Sequence, residues 1–141
     1  MMDGFMTGSS LPALERSLQF MSARQKLLVG NLANAETPGF RPVDADPRAF
    51  QGALRDAMDT GSVDQQGSLQ FDDAAPVTFS SAGVELKPEI LADNIVFHDG
   101  NDRSAERMMQ RLTENVYAFR MASQLMRNQF DLMNAAIRER P

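Results

Sequence analysis

The chain has 141 residues, enough for one domain whose core buries roughly two-thirds of the unfolded surface. It holds no cysteine, no tryptophan and ten methionines, which excludes disulfide frameworks, thiolate metal sites and cysteine nucleophiles and leaves apolar contacts to flexible aliphatic side chains. The net charge of −5 is uneven: residues 1–41 carry four basic and three acidic groups, residues 42–102 three and twelve, and residues 103–141 seven and four, so an acidic middle meets an end whose basic residues are all Arg, a balance that argues against nucleic-acid binding.

Met1-Met2-Asp3-Gly4-Phe5 lacks the basic and long apolar segments of a secretory signal. No stretch reaches the roughly 20 apolar residues of a membrane span, so membrane insertion is not expected. Ser9-Ser10-Leu11-Pro12 then predicts a helix entry, with a serine cap and a proline in the first turn where its missing N–H is harmless. The helix runs to about Ala35, roughly 37 Å at the α-helical rise. Leu11, Leu14, Leu18, Met21, Leu28, Leu32 and Ala35 alternate by three and four except where Gln25 interrupts, the seam of a coiled coil. Pro38 forces Thr37 out of the α region and ends the helix. Thr37-Pro38-Gly39-Phe40 reads as a type II turn, with Pro38 fixing φ and Gly39 accepting a positive one.

Asp46-Pro47-Arg48 opens a short second helix capped by Asp46, with Phe50, Leu54, Ala57 and Met58 on one side and Asp59-Thr60-Gly61 as its end. From Thr60 to about Lys87 the composition shifts to Gly, Ser, Gln, Asp and Pro. Two brief alternations, Leu69-Gln70-Phe71 and Val77-Thr78-Phe79, can pair as a small β-hairpin, expected to be mobile because an isolated hairpin is marginal in water. Ile95-Val96-Phe97 is a short extended run. His98-Asp99-Gly100-Asn101-Asp102 is a turn that hands over to the last helix with Asn101 or Asp102 as cap.

That helix continues to about Arg138, roughly 55 Å, longer than an ordinary globular helix. Its seam runs through Met109, Leu112, Val116, Phe119, Met126, Phe130, Met133 and Ile137, with polar Ser123 in one slot. A flanking row of Ala118, Ala122, Leu125, Leu132 and Ala136 widens the apolar surface beyond what one partner helix covers. Taken alone, such stripes describe the core of a helical bundle. A helix of this length has too little protein of its own to cover both, so burial between copies is expected to supply the remainder.

No catalytic, cofactor-binding or metal-ligating set emerges. His98 is the single imidazole and stands in a turn beside Asp99 and Asp102, without the ligand count for zinc or a serine at motif spacing. The acidic middle lacks the EF-hand spacing, and neither a phosphate loop nor a dinucleotide fingerprint is present.

Leu28-x-x-Asn31-Leu32-Ala33-Asn34-Ala35-x-Thr37-Pro38-Gly39-Phe40, together with a C-terminal Leu/Met/Phe helix ending Met133-x-x-Ala136-Ile137, resembles the flagellar axial family. Within it, the short chain and the step from Gly100-Asn101-Asp102 straight into the last helix are most similar to the proximal-rod type. The likeness covers residues 10 to 41 and 99 to 138. Glu36 stands where the family commonly has Asp or Asn, and residues 60 to 98 match no family pattern.

The resemblance implies a mainly α protein. Residues 1–41 and 101–141 would form a paired terminal-helix rod domain, a coiled coil, and residues 42–100 a loop-rich middle with a short helix and the small hairpin. It implies a structural subunit of the basal-body rod in the periplasm, not an enzyme, exported without a cleaved signal and polymerising around a central channel. The implied partners are copies of itself, other rod subunits, the membrane ring and the export apparatus. The implied assembly interface is Leu11, Leu14, Leu18, Met21, Leu28, Leu32, Leu112, Val116, Phe119, Met126, Phe130, Met133 and Ile137. The turn motif is Asn31, Asn34, Thr37, Pro38, Gly39 and Phe40. Another axial rod subunit shares these features, whereas a cytosolic secretion chaperone or helical adaptor would share the amphipathic helices and acidic balance but has no use for the Asn31-to-Phe40 string.

Overall fold

A computed structural model describes residues 10–61, 63, 67–80, 83–91 and 105–138. It is mainly helical. Three helices, α1 (Ser10–Ala33), α2 (Pro47–Thr60) and α3 (Ala105–Arg138), frame four short strands, β1 (Val43–Asp44), β2 (Val77–Ser80), β3 (Gly83–Leu86) and β4 (Glu89–Ile90). The long terminal helices pack on each other, with the Asn115 side chain of α3 donating to the Met21 carbonyl of α1 at 2.9 Å.

The local signals act as their chemistry requires. Asp46 takes extended backbone and its carboxylate accepts from the Arg48 N–H, while Gly61 at φ 61° closes α2. The Phe40 N–H bonds the Thr37 carbonyl at 3.1 Å across Pro38 and Gly39, and Gly39 has φ 75°, the type II turn expected there. The expected cap at Asn101 or Asp102, the Ile95–Phe97 run and His98 lie outside the described residues.

The hairpin forms with a different partner. Val77-Thr78-Phe79 pairs antiparallel with the residues that follow it, Val77 opposite Leu86 and Ser80 opposite Gly83, and not with Leu69-Gln70-Phe71. Two residues separate Ser80 from Gly83, a length suited to a tight hairpin turn. The five residues from Asp72 to Pro76 instead fold into their own turn, the Ala75 N–H bonding the Asp72 carbonyl. Leu69 makes an isolated bridge with Val63 and is buried against Ala13 and Ala57. The hairpin also has the surface it was expected to lack: Val77 is 1% exposed, packed with Phe20, Ala45 and Phe50.

The core centres on α1 and not on a two-helix seam. Phe20 and Phe50 stack with ring centroids 4.0 Å apart, Phe71 lies 5.9 Å beyond Phe50, and Phe79 lies 4.9 Å beyond Phe71. The Arg16 guanidinium covers Phe79 at 4.5 Å. The deepest line of α1 is consequently Ala13, Phe20, Arg24, Leu28 and Asn31, rotated about a quarter-turn from the expected seam at roughly 100° per residue. The cause is two-sided cover. The central segment presses on one flank of α1 and α3 on the other, so the line between the flanks is the driest, and of the seam only Leu28 lies on it.

Candidate assembly surface

Polar residues tie α1, the central segment and α3 together. Arg24 grips Asp44 in a bidentate pair, Nε to Oδ1 at 2.8 Å and Nη2 to Oδ2 at 2.7 Å, with side chains 7% and 4% exposed. Arg111 of α3 reaches the same carboxylate at 3.2 Å, and Arg24 Nη1 lies 3.5 Å from the Asn115 amide oxygen. One carboxylate from β1 thus joins both terminal helices. A fork of two parallel N–H bonds fixes direction as well as distance, so the site sets the register of α1 against α3.

Asn31 works at the next contact. Its amide donates to the Val43 carbonyl at 2.6 Å and accepts from the Val43 N–H at 3.3 Å, while Asn34 turns back to the Gly30 carbonyl at 2.8 Å. The turn motif is therefore divided. Asn31 is buried and holds the strand that follows, Phe40 is half-buried, and Asn34, Thr37, Pro38 and Gly39 are exposed.

The expected interface residues fall into three groups. Leu28 is fully buried; Leu11, Leu14, Leu18, Met21, Leu32, Leu112, Val116, Phe119 and Met126 are half-buried; Phe130, Met133 and Ile137 are 45%, 43% and 72% exposed. The buried residues of α3 are Met108, Asn115 and Ala122, seven apart, the repeat of a coiled-coil seam. At about 100° per residue, Phe130, Met133 and Ile137 lie on that same face, about two to four turns further along. The face is covered at its start and open at its end, and residues 131–138 are exposed without a break. A second open stripe, Tyr117, Met121, Leu125 and Leu132, lies around the helix from the first.

A groove of about 670 Å³ runs along α1 beside β3, lined by Leu18, Leu27, Val84, Leu86 and Phe119 with Lys26 and Glu85 among its polar residues. Among the described residues no His, Cys, Asp or Glu cluster could hold a metal ion, and no helix is long and apolar enough to cross a membrane.

The sequence reading missed Arg24, Asp44, Arg111 and Asn115. Three of them sit among apolar seam residues on long helices, where a charged side chain reads as solvated surface. The available signal was the seven-residue spacing of Asn115 from Met108 and Ala122, which places a polar residue on an apolar line.

No family model matches the chain. A stretch of 53 residues is 38% identical to the flagellar basal body rod protein FlgB of Yersinia ruckeri. It takes in 38% of this chain and 36% of that protein, so the match spans about a third of the relative's length.

Proposed function

We propose that the chain is a structural subunit of the bacterial flagellar basal-body rod, of the proximal FlgB type, that polymerises through its terminal helices and catalyses no reaction. The observation that carries this reading is the open end of α3, where the face that α1 and its neighbours cover from Met108 to Ala122 continues uncovered through Phe130, Met133 and Ile137. Exposed apolar surface of this kind is kept for partners. The likeness to FlgB supplies the setting.

In that setting the half-buried seam, from Leu11 to Leu32 on α1 and from Leu112 to Met126 on α3, would be finished by helices of neighbouring copies and of other rod subunits around a central export channel. The helical rod domain would be built from residues 1–41 and 101–141, with residues 42–100 on the outside. The base of the rod would meet the membrane ring and the export apparatus, and the chain would cross to the periplasm through the flagellar export path without a cleaved signal.

The test is biochemical purification of intact basal bodies from a motile strain carrying an epitope-tagged copy. The tagged chain should co-purify with the rod after detergent extraction, and deletion of its gene should abolish swimming. A chain that stays with an unassembled export substrate in the cytosolic fraction would be a chaperone and would overturn the reading.

A further inference from the structure

With no cysteine in the chain, oxidation at sulfur falls on methionine alone. The fold sorts the described methionines by exposure. Met108 is 2% exposed, Met21 and Met126 are half-buried, and Met58, Met133, Met109 and Met121 are 37%, 43%, 50% and 69% exposed. Position separates the last four further. Met133 stands between Phe130 and Ile137 on the open face of α3, and Met121 stands between Tyr117 and Leu125 on the second stripe. Each open apolar stripe thus carries one exposed sulfur. Met58 belongs to α2, and Met109, in the first turns of α3, lies about 120° around the helix from Met121 and from Met133. Leucine serves the second stripe at Leu125 and Leu132 and has nearly the bulk of methionine, so what Met121 adds there is a flexible chain and a reactive sulfur.

We propose that Met121 and Met133 form a redox-sensitive site that switches off the assembly surface of the free subunit. Hydrogen peroxide transfers one oxygen atom to each thioether: a new S–O bond forms, the O–O bond breaks, sulfur gives up two electrons and water leaves. A sulfoxide reductase returns the thioether with electrons from two thiols, which become a disulfide while the oxygen leaves as water. The sulfoxide places a polar group in a stripe that offers partners only apolar surface, and because both side chains are exposed in the single chain, the fold itself is left intact. The switch rests on the reading of α3 as an assembly surface; the order in which the methionines oxidise does not.

Brief treatment of the full-length chain with hydrogen peroxide, followed by peptide mapping in a mass spectrometer, should show sulfoxide at Met121 and Met133 about tenfold ahead of Met108. In a strain that lacks the gene, a tagged chain with Met121→Gln and Met133→Gln imitates the oxidised form with an uncharged polar side chain that helices accept as readily as methionine. Its incorporation into purified basal bodies should fall about tenfold or more, the weight of one buried methionine side chain. Met121→Leu with Met133→Leu, which keeps the surface apolar and removes the sulfur, should incorporate as the unaltered chain does. Met109→Gln, as polar but off both stripes, should also incorporate normally. Unchanged circular dichroism will show that the variants fold.

Peroxide that reaches Met108 as fast as Met121 would overturn the proposal, as would full incorporation of the double Gln variant. Equal loss in the double Leu variant or in Met109→Gln would overturn it too, since polarity at these two positions would then not be the cause. An unaltered chain absent from purified basal bodies would instead remove the rod reading and the switch with it, and the peptide map would still report the order of oxidation.

Discussion

Helix α1 and the distal turns of α3 have similar sequences and opposite circumstances. Both repeat Leu, Met and Phe at helical spacing. α1 is enclosed along one line, with Phe20 and Leu28 each 1% exposed, whereas the end of α3 holds Phe130, Leu132, Met133 and Ile137 between 43% and 72% exposed. Periodicity shows that a helix has a sticky face. It does not show whether the face is spent inside the molecule or kept for another one. That is decided by what the rest of the chain brings to it: β1, β3 and α3 pack on α1, whose Phe20 also meets Phe50 of α2 and Val77 of β2, whereas residues 131–138 are exposed.

The comparison breaks most readily at the enclosed end. Phe20→Ala removes the ring stacked on Phe50 and leaves a cavity, and Asp44→Ala strands the Arg24 guanidinium in the core beside Arg111. Each should cost about 3–5 kcal/mol of unfolding free energy in a denaturant titration. Unchanged stability in either variant would show that α1 is not the centre of the fold.

A smaller effect is expected at the turn. Gly39 has φ 75°, and although no atom lies within 4 Å of an added Cβ, a β-branched residue resists that backbone conformation. Gly39→Val should cost about 1–3 kcal/mol, with Gly39→Asn costing less because Asn tolerates the left-handed region. If Val and Asn were equally harmless by thermal melting, the turn would not constrain the path from α1 to β1.

The smallest effect on the isolated chain is expected at the open end. Phe130→Ala should change stability by no more than about 0.5 kcal/mol, since an exposed side chain has little to lose. The same substitution should impair assembly, read as swimming in soft agar. A loss of 2 kcal/mol or more in the isolated chain would mean that the end of α3 is covered at home.

Much of this was legible from residue type and spacing. The three helices, the Asp46 cap and the Thr37-Pro38-Gly39-Phe40 turn follow from signals confined to a few neighbouring residues, which the folded chain has no reason to override. The strand partners did not follow. Val77-Thr78-Phe79 could pair forward or back, and the choice turned on whether Leu69 had a better use, which it finds between Ala13 and Ala57. The facing of α1 was hidden for the same reason: the ring of Phe20 is drawn inward by Phe50, thirty residues away in the chain, and no local pattern reports that. At the candidate assembly surface, the apolar positions could be read as a stripe, but the split between half-buried and open members depends on how far the cover extends. The Arg24–Asp44–Arg111 site was invisible because ion pairs across 20 and 67 positions leave no periodic trace.

Asn31 has one more consequence. The Leu91 N–H bonds the Pro42 carbonyl, and β4 pairs with β1 from that side, so by the alternation of a strand the Val43 N–H and carbonyl point the other way. There they meet a carboxamide, which offers one donor and one acceptor in the geometry of a peptide group. A single side chain thus imitates a third strand and seals that edge of the ribbon against passing extended chains. Without that carboxamide the folded chain would expose an unpaired strand edge at this spot.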